Sequence, residues 1–191
     1  EDSGWFQPAA AYGWFPCRAE GETLQVEALD GRTVVMAFPR QPRPPHRSIP
    51  DFFRRDADVV GLFVVTLGPK VMEECERLRT SDRYRDYLLL HGLAVETTDA
   101  LAEWIHAKMR AELGHPDAGL TLQDYIVQNY RGSRYGFGYP SCPDLSLNVP
   151  CCELVGAPEI GVELSETFMM IPEVTTSALV AHHPAAKYFN L

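Results

Sequence analysis

The sequence predicts an α+β fold built on an antiparallel sheet, and three observations carry that reading. Strand-like segments come first, helical periodicity fills the middle, and strand-like segments return near the C-terminus, without the regular alternation of a doubly wound sheet. A length of 191 residues suits one domain and suffices to bury a core. The composition, 46% hydrophobic and 23% charged, is that of an ordinary globular chain and excludes disorder, collagen-like repeats and coiled coil.

Residues 12–17 are aromatic-rich, residues 23–29 alternate Leu24, Val26 and Ala28 with polar neighbours, and residues 33–38 are apolar and β-branched. Asp30-Gly31 between the last two predicts a β-hairpin of the two-residue kind. In residues 39–50, Pro42, Pro44 and Pro45 exclude a helix, so this stretch is a connection. Residues 59–67 form an apolar run whose length and β-branching predict a buried strand, ended by Gly68-Pro69.

From residue 70 to 112 the pattern is helical and accommodates two or three helices. Val71, Cys75 and Leu78 fall at helical spacing, Thr80-Ser81-Asp82 supplies a cap, and Tyr84, Tyr87, Leu88 and His91 start a second stripe. Leu101, Trp104, Ile105 and Met109 continue it toward Gly114-His115-Pro116, with Trp104 and Met109 read as core. Thr121 with Asp124 forms a capping box for a short helix through Tyr130. A helical piece near residues 150–155 and strand-like runs at 167–171 and 175–181 complete the chain.

Charge and cysteine content narrow the function classes. Seventeen Lys and Arg against 26 Asp and Glu give a formal charge of −9, which repels phosphate backbones and anionic lipid, so neither nucleic acid nor membrane is an expected partner. Every apolar stretch is interrupted before the roughly 18 residues that a membrane helix needs. Five unevenly spread cysteines argue against a disulfide framework and for a reducing, cytoplasmic compartment. A start at Glu1-Asp2 reads as a fragment of something longer or a processed chain.

Several residue groups invite a chemical reading. Gly136 and Gly138 bracket Phe137, but Pro140 and Pro143 exclude the helix that a dinucleotide loop requires. What remains is Arg134, whose fork suits a carboxylate, beside backbone exposed by the glycines; on pattern alone, a glycine-rich turn with a solvent-facing arginine is the better reading. Cys142, Cys151 and Cys152 lack zinc-finger spacing. His182-His183 would point to opposite faces of a strand, one core and one surface, so no metal site is expected. Asp99 and Glu103 share a helix face that is usually a solvated acidic one.

Read together, three motifs resemble one family. Arg134-Tyr135-Gly136-Phe137-Gly138-Tyr139-Pro140-Ser141-Cys142-Pro143-Asp144, then Leu164-Ser165-Glu166-Thr167-Phe168-Met169-Met170, then Lys187-Tyr188-Phe189 are similar to the C-terminal activation module of cobalamin-dependent methionine synthase. Tyr12-Gly13-Trp14-Phe15-Pro16 and Pro50-Asp51-Phe52 resemble upstream pieces of the same family, and the likeness covers nearly the whole chain, read as a single domain of residues 1–191.

The resemblance implies a twisted antiparallel sheet with flanking helices. It implies binding of S-adenosylmethionine, the methyl donor for reductive reactivation of cob(II)alamin to methylcobalamin, in methionine biosynthesis from homocysteine. The implied partners are a cobalamin-binding domain of the same chain, which holds most of the corrinoid, and a flavodoxin-like reductase. By the family pattern, Arg134 grips the carboxylate of S-adenosylmethionine, and Gly136 and Gly138 let the backbone meet adenine and ribose. Asp51 lies near the amino group and sulfonium, Tyr188 and Phe189 meet the cofactor, and Tyr139 faces the corrin as the catalytic assignment.

This chain departs from the pattern in places. Leu145-Ser146-Leu147-Asn148 stands where the family has His-Thr-Glu-Lys, while Gln128 and Asp99 each replace a glutamate near the ligand. The chain stops at Leu191, as a shorter branch would. The competing expectations are a corrinoid-capping module with weakened S-adenosylmethionine binding, and a stand-alone activation subunit acting in trans.

Overall fold

The computed structural model describes residues 4–191, so the Glu1-Asp2 start lies outside the described residues. The strands are β1 (Ala9–Glu20), β2 (Thr23–Glu27), β3 (Thr33–Ala37), β4 (Asp58–Thr66), β5 (Ser133–Gly136), β6 (Glu163–Leu164), β7 (Met170–Ile171) and β8 (Thr175–Ala181). The helices are α1 (Lys70–Thr80), α2 (Tyr84–Glu112), α3 (Leu122–Ile126) and α4 (Asn148–Val155). Six strands form one sheet in the order β3-β2-β1-β4-β8-β5, each neighbouring pair antiparallel, and β6 pairs with β7 in a separate ribbon. The α+β expectation with an antiparallel sheet and flanking helices holds.

The central strand β4 reads as an unbroken apolar run because both of its faces are covered. Val60, Leu62 and Val64 join a core with Tyr135, Leu179 and Cys151 of α4. Phe63 and Val65 face the other way, against Ala102, Ile105 and Met109 of α2. A third cluster, with Leu67, Val71 and Leu78, pins α1 to the first half of α2.

Local details correct the sequence reading in physical terms. The β2–β3 hairpin closes through Ala28 N–H to Arg32 O (2.8 Å) and turns on three residues rather than two, with Gly31 at φ 84°. Asp30 draws it shut by accepting from Arg32 N–H (3.0 Å). The hydroxyls expected to cap the start of α2 instead finish α1: Thr80 donates to Glu76 O (2.8 Å) and Ser81 to Arg77 O. The N-cap of α2 is Arg83, without a side-chain cap bond, and α2 then runs unbroken for 29 residues.

Trp104 was expected in the core and is 61% exposed, and Tyr84 and Leu88 are exposed as well. The buried stripe of α2 runs instead through Ala94, Thr98, Ala102, Ile105 and Met109. The capping box at Thr121 and Asp124 forms, but α3 stops at Ile126 rather than Tyr130. Asp124 O accepts from Asn129 N–H (2.7 Å), and Gln128 takes φ 52° to make that reversal. Of residues 167–171 only Met170–Ile171 is strand, because Ser165 O accepts from Phe168 N–H (3.0 Å) in a turn. His182 is half-buried against Asp58 (2.8 Å) and His183 is exposed, so neither is a core histidine.

All five cysteines are buried free thiols, and burial pushes Cys17 and Cys142 up to about 12, which leaves them unreactive at neutral pH. Among the described residues, no group of three or more His, Cys, Asp and Glu is arranged to hold a metal ion, and no helix is long and apolar enough to cross a membrane.

Gly132, which leads into β5, has φ 83°, and a Cβ there would stand 2.5 Å from Ala181 O. Gly132→Ala is therefore expected to lower unfolding stability by at least about 2 kcal/mol. Urea denaturation should show a lower midpoint with an unchanged slope.

Candidate functional site

An open cleft of about 250 Å³ lies between α2 and the β5–β8 edge of the sheet, and Asp99, Gln128, Arg134, Gly136, Tyr139 and Tyr188 face it. Strand register explains how β5 serves it. Arg134 pairs with Val180 and Gly136 with Ala178, so the two-residue period turns both toward α2. Tyr135 faces the opposite core and is fully buried.

Two aromatic side chains reach the cleft by different routes. Cys142 N–H donates to Tyr139 O and Gly138 N–H to Cys142 O (each 2.8 Å), a tight reversal that folds Tyr139 back over Gly136. A Cβ on Gly136 would sit 2.8 Å from the Tyr139 ring, so the ring occupies the space the glycine leaves. Tyr188 is placed by Tyr135, whose ring lies between Phe52 (6.1 Å) and Tyr188 (6.4 Å) and whose hydroxyl donates to Lys187 O (3.1 Å). Lys187 Nζ in turn donates to Gln128 O (2.6 Å) and Tyr130 O (2.9 Å), tying the segment that bears Gln128 to the segment that bears Tyr188.

Beneath Arg134 runs a chain of alternating charges. Arg134 Nη1 donates to Glu103 Oε2, and Glu103 also meets Tyr130 Oη (3.3 Å) and Arg110 Nη2 (3.5 Å). Arg110, only 4% exposed, is paired with Asp117 through Nε (2.9 Å) and Nη2, and its guanidinium lies 3.8 Å from the centre of the Tyr130 ring. Desolvation opposes the Arg110 charge, but the Asp117 hydrogen bond and charge outweigh it, so its pKa is raised. Burial, with the Glu103 charge, pushes the Tyr130 phenol up to about 12. Burial first, then the Arg110 and Arg134 charges, drives the His106 pKa well below its ordinary value, so this ring is neutral at pH 7.

The structure thus gathers Asp99, Gln128, Arg134, Gly136, Tyr139 and Tyr188, and leaves three expected residues outside the cleft lining. Asp51 is bound to Arg40 (2.7 and 2.8 Å) and accepts from Ser48 N–H (2.9 Å); the Arg40 hydrogen bond holds its carboxyl below the usual range. Gly138, at φ 84°, lies against Leu145. Phe189 is buried against Phe52 and Tyr135. Arg134 is half-buried and paired rather than loose in solvent, and Glu103 is not on a solvated face. Glu103, Tyr130 and Lys187 are the residues that sequence reasoning missed; the spacing of Asp99, Glu103 and Arg110 on one helix face was the available signal.

The profile of the family described as vitamin B12 dependent methionine synthase, activation domain, matches residues 1–191. Methionine synthase of Mycobacterium leprae (strain TN) is 38% identical over 202 residues, covering 96% of this chain and 17% of the relative. Methionine synthase of Mycobacterium tuberculosis (strain ATCC 25618 / H37Rv) gives the same identity and coverage. The chain therefore spans about a sixth of the length of these curated relatives. The crystal structure of the MetH reactivation domain bound to AdoHcy superposes with a TM-score of 0.86 at 25% identity, covering 97% of this chain and 62% of that one.

The charge chain has a consequence for stability. Asp117→Ala leaves the buried Arg110 guanidinium with the longer ion pair to Glu103 and the Tyr130 ring, and is expected to cost about 3 kcal/mol, the lower end for breaking a buried pair. Chemical denaturation of the variant beside the parent chain measures it.

Proposed function

The chain belongs to the vitamin B12 dependent methionine synthase activation domain family, and from that premise we propose that its cleft binds S-adenosylmethionine and presents the methyl group for reactivation of the cobalamin in the parent enzyme. The observation that carries the proposal is the arrangement at Arg134. Its guanidinium faces the cleft with Nη1 engaged by Glu103, and among the described residues its other N–H groups have no hydrogen-bond partner. That free edge suits the amino-acid carboxylate of the ligand.

The remaining lining fits the other parts of such a ligand. Asp99 supplies a carboxylate for the ammonium and sulfonium, in place of Asp51, whose charge Arg40 already occupies. Gly136 offers backbone at close range, and Tyr188 offers an aromatic ring to the nucleoside. S-adenosylmethionine supplies an activated methyl on sulfur, so these residues need to bind, orient and exclude water rather than act as acid or nucleophile.

Tyr139 is half-exposed and sits where the cleft opens into a second groove of about 590 Å³, which shares Asp99, Tyr139 and Thr176 with it. Exposed Met169 and Ile171 line that groove, and an apolar rim of this kind suits a corrin ring brought by a neighbouring cobalamin-binding domain. A flavodoxin-like reductase supplies the electron in this reading, cob(II)alamin is converted to methylcobalamin, and the parent enzyme serves methionine synthesis from homocysteine.

Calorimetric titration with S-adenosylmethionine and S-adenosylhomocysteine tests the proposal. The parent chain should bind both saturably, and Arg134→Ala should weaken binding by about 1.5 to 3 kcal/mol through loss of a charge-assisted pair. A folded parent chain that binds neither overturns the reading. Tyr139→Phe should leave affinity within about twofold while changing the rate of cobalamin reactivation in the full enzyme; equal reactivation removes the corrin-facing role.

A further inference from the structure

Arg134 is not an isolated cation waiting for a ligand. Its Nη1 is held by Glu103 Oε2, which also accepts from Tyr130 Oη (3.3 Å), while Oε1 on the far side of the carboxylate is held by Arg110 (3.5 Å). Both of those supports are immobilised. Arg110 is clamped by Asp117 and lies 3.8 Å from the Tyr130 ring centre, and the backbone carbonyl of Tyr130 is bound by Lys187 (2.9 Å). Asp117 also accepts from Tyr125 Oη (3.1 Å).

We infer that Glu103 is a positioning residue for carboxylate recognition: it fixes the Arg134 guanidinium by Nη1 and so presents the remaining edge to an α-amino-acid carboxylate in the cleft. The inference deepens the proposed function and rests on it. A guanidinium on a flexible stem must lose rotamer freedom to make a bidentate contact. Here that loss is already met in the free protein, because the Glu103 contact restricts the arginine before ligand arrives. Arg110 matters equally to the arrangement. When the ligand carboxylate draws on Arg134, Glu103 keeps a second guanidinium beside it and is not left as an unpaired charge.

The alternative role for Glu103 is an internal competitor that occupies Arg134 until ligand displaces it. The two roles predict opposite signs on removal of the carboxylate. A positioning group strengthens binding of the carboxylate-bearing half of a ligand and leaves the nucleoside half alone; a competitor weakens the first.

The test uses the 191-residue chain with two probes, S-adenosylhomocysteine and 5′-methylthioadenosine, which keeps the nucleoside and thioether but lacks the amino-acid group. Glu103→Gln should weaken S-adenosylhomocysteine binding about tenfold while methylthioadenosine affinity stays within about twofold. Equal or tighter S-adenosylhomocysteine binding overturns the inference, as does a parallel loss for both probes, which signals general damage to the cleft. If Glu103→Gln does not fold, Glu103→Asp keeps a charge for Arg110 while shortening the reach to Arg134, and the same selective loss is required of it. Failure of the parent chain to bind S-adenosylhomocysteine falls on the proposed function; normal parent binding that is weakened by Arg134→Ala yet untouched by Glu103→Gln falls on Glu103 alone.

Discussion

A guanidinium that is only 4% exposed must find its counter-charge inside the protein, and Arg110 finds it in Asp117 and Glu103. Much of the cleft follows from that requirement. Glu103 is turned inward between α2 and β5, where it meets Arg134, and Tyr130 is drawn into the same place by its hydroxyl and by the cation over its ring. His106, one turn away on the same helix face and in edge contact with Tyr130 (5.4 Å), stays neutral because burial first, and the Arg110 and Arg134 charges after it, disfavour its protonated form. Such a chain is expensive in desolvation, so its value lies less in stability than in fixing which way each group points.

The strand that receives this charge is the shortest of the main sheet and one of its two edges, and its two faces serve different ends. Arg134 and Gly136 turn toward α2 and the cleft, while Tyr135 anchors the opposite core between Phe52 and Tyr188. A shift of one residue in the β5–β8 register would exchange these roles, burying the arginine in an apolar core and emptying the cleft of its cation. Gly132 enforces the register at one end through its close approach to Ala181, and Gly136 admits the Tyr139 ring at the other. The C-terminal segment then closes the arrangement, with Leu191 N–H donating to Pro140 O (3.3 Å) on the turn that carries Tyr139.

How much of this was legible in the sequence depends on how local each determinant is. The doubly buried strands β4 and β8, the helical middle and the Thr121 capping box are written in short-range pattern, and they could be read there. Strand β5 could not, since its four residues are strand only because β8 lies beside them. On α2, an amphipathic reading places Trp104 inside and its neighbour Glu103 outside; the buried charge chain rotates the inward face by about one residue, or 100°, and reverses both. Arg134, Gly136 and Tyr139 were legible because the motif carries them, whereas Asp51 sits within reach of Arg40 in an arginine-rich connection and is claimed by it.

Charge bookkeeping ties the cleft to its proposed ligand. Asp117, Arg110, Glu103 and Arg134 cancel in pairs, and Gln128 adds no charge where the family resemblance expects a glutamate. Asp99 is left as a carboxylate on the cleft wall with no hydrogen bond or ion pair among the described residues. A ligand carrying a sulfonium, an ammonium and a carboxylate has net charge of about +1, and this wall complements it. Transfer of the methyl removes the sulfonium charge and leaves the carboxylate that Arg134 recognises unchanged. In this reading the attraction to the exposed Asp99 carboxylate, screened by solvent to about 1 kcal/mol or less, is then lost. The carboxylate grip is common to donor and demethylated product, so in this reading Arg134 holds the ligand in place while Asp99 distinguishes the charged donor from the spent one.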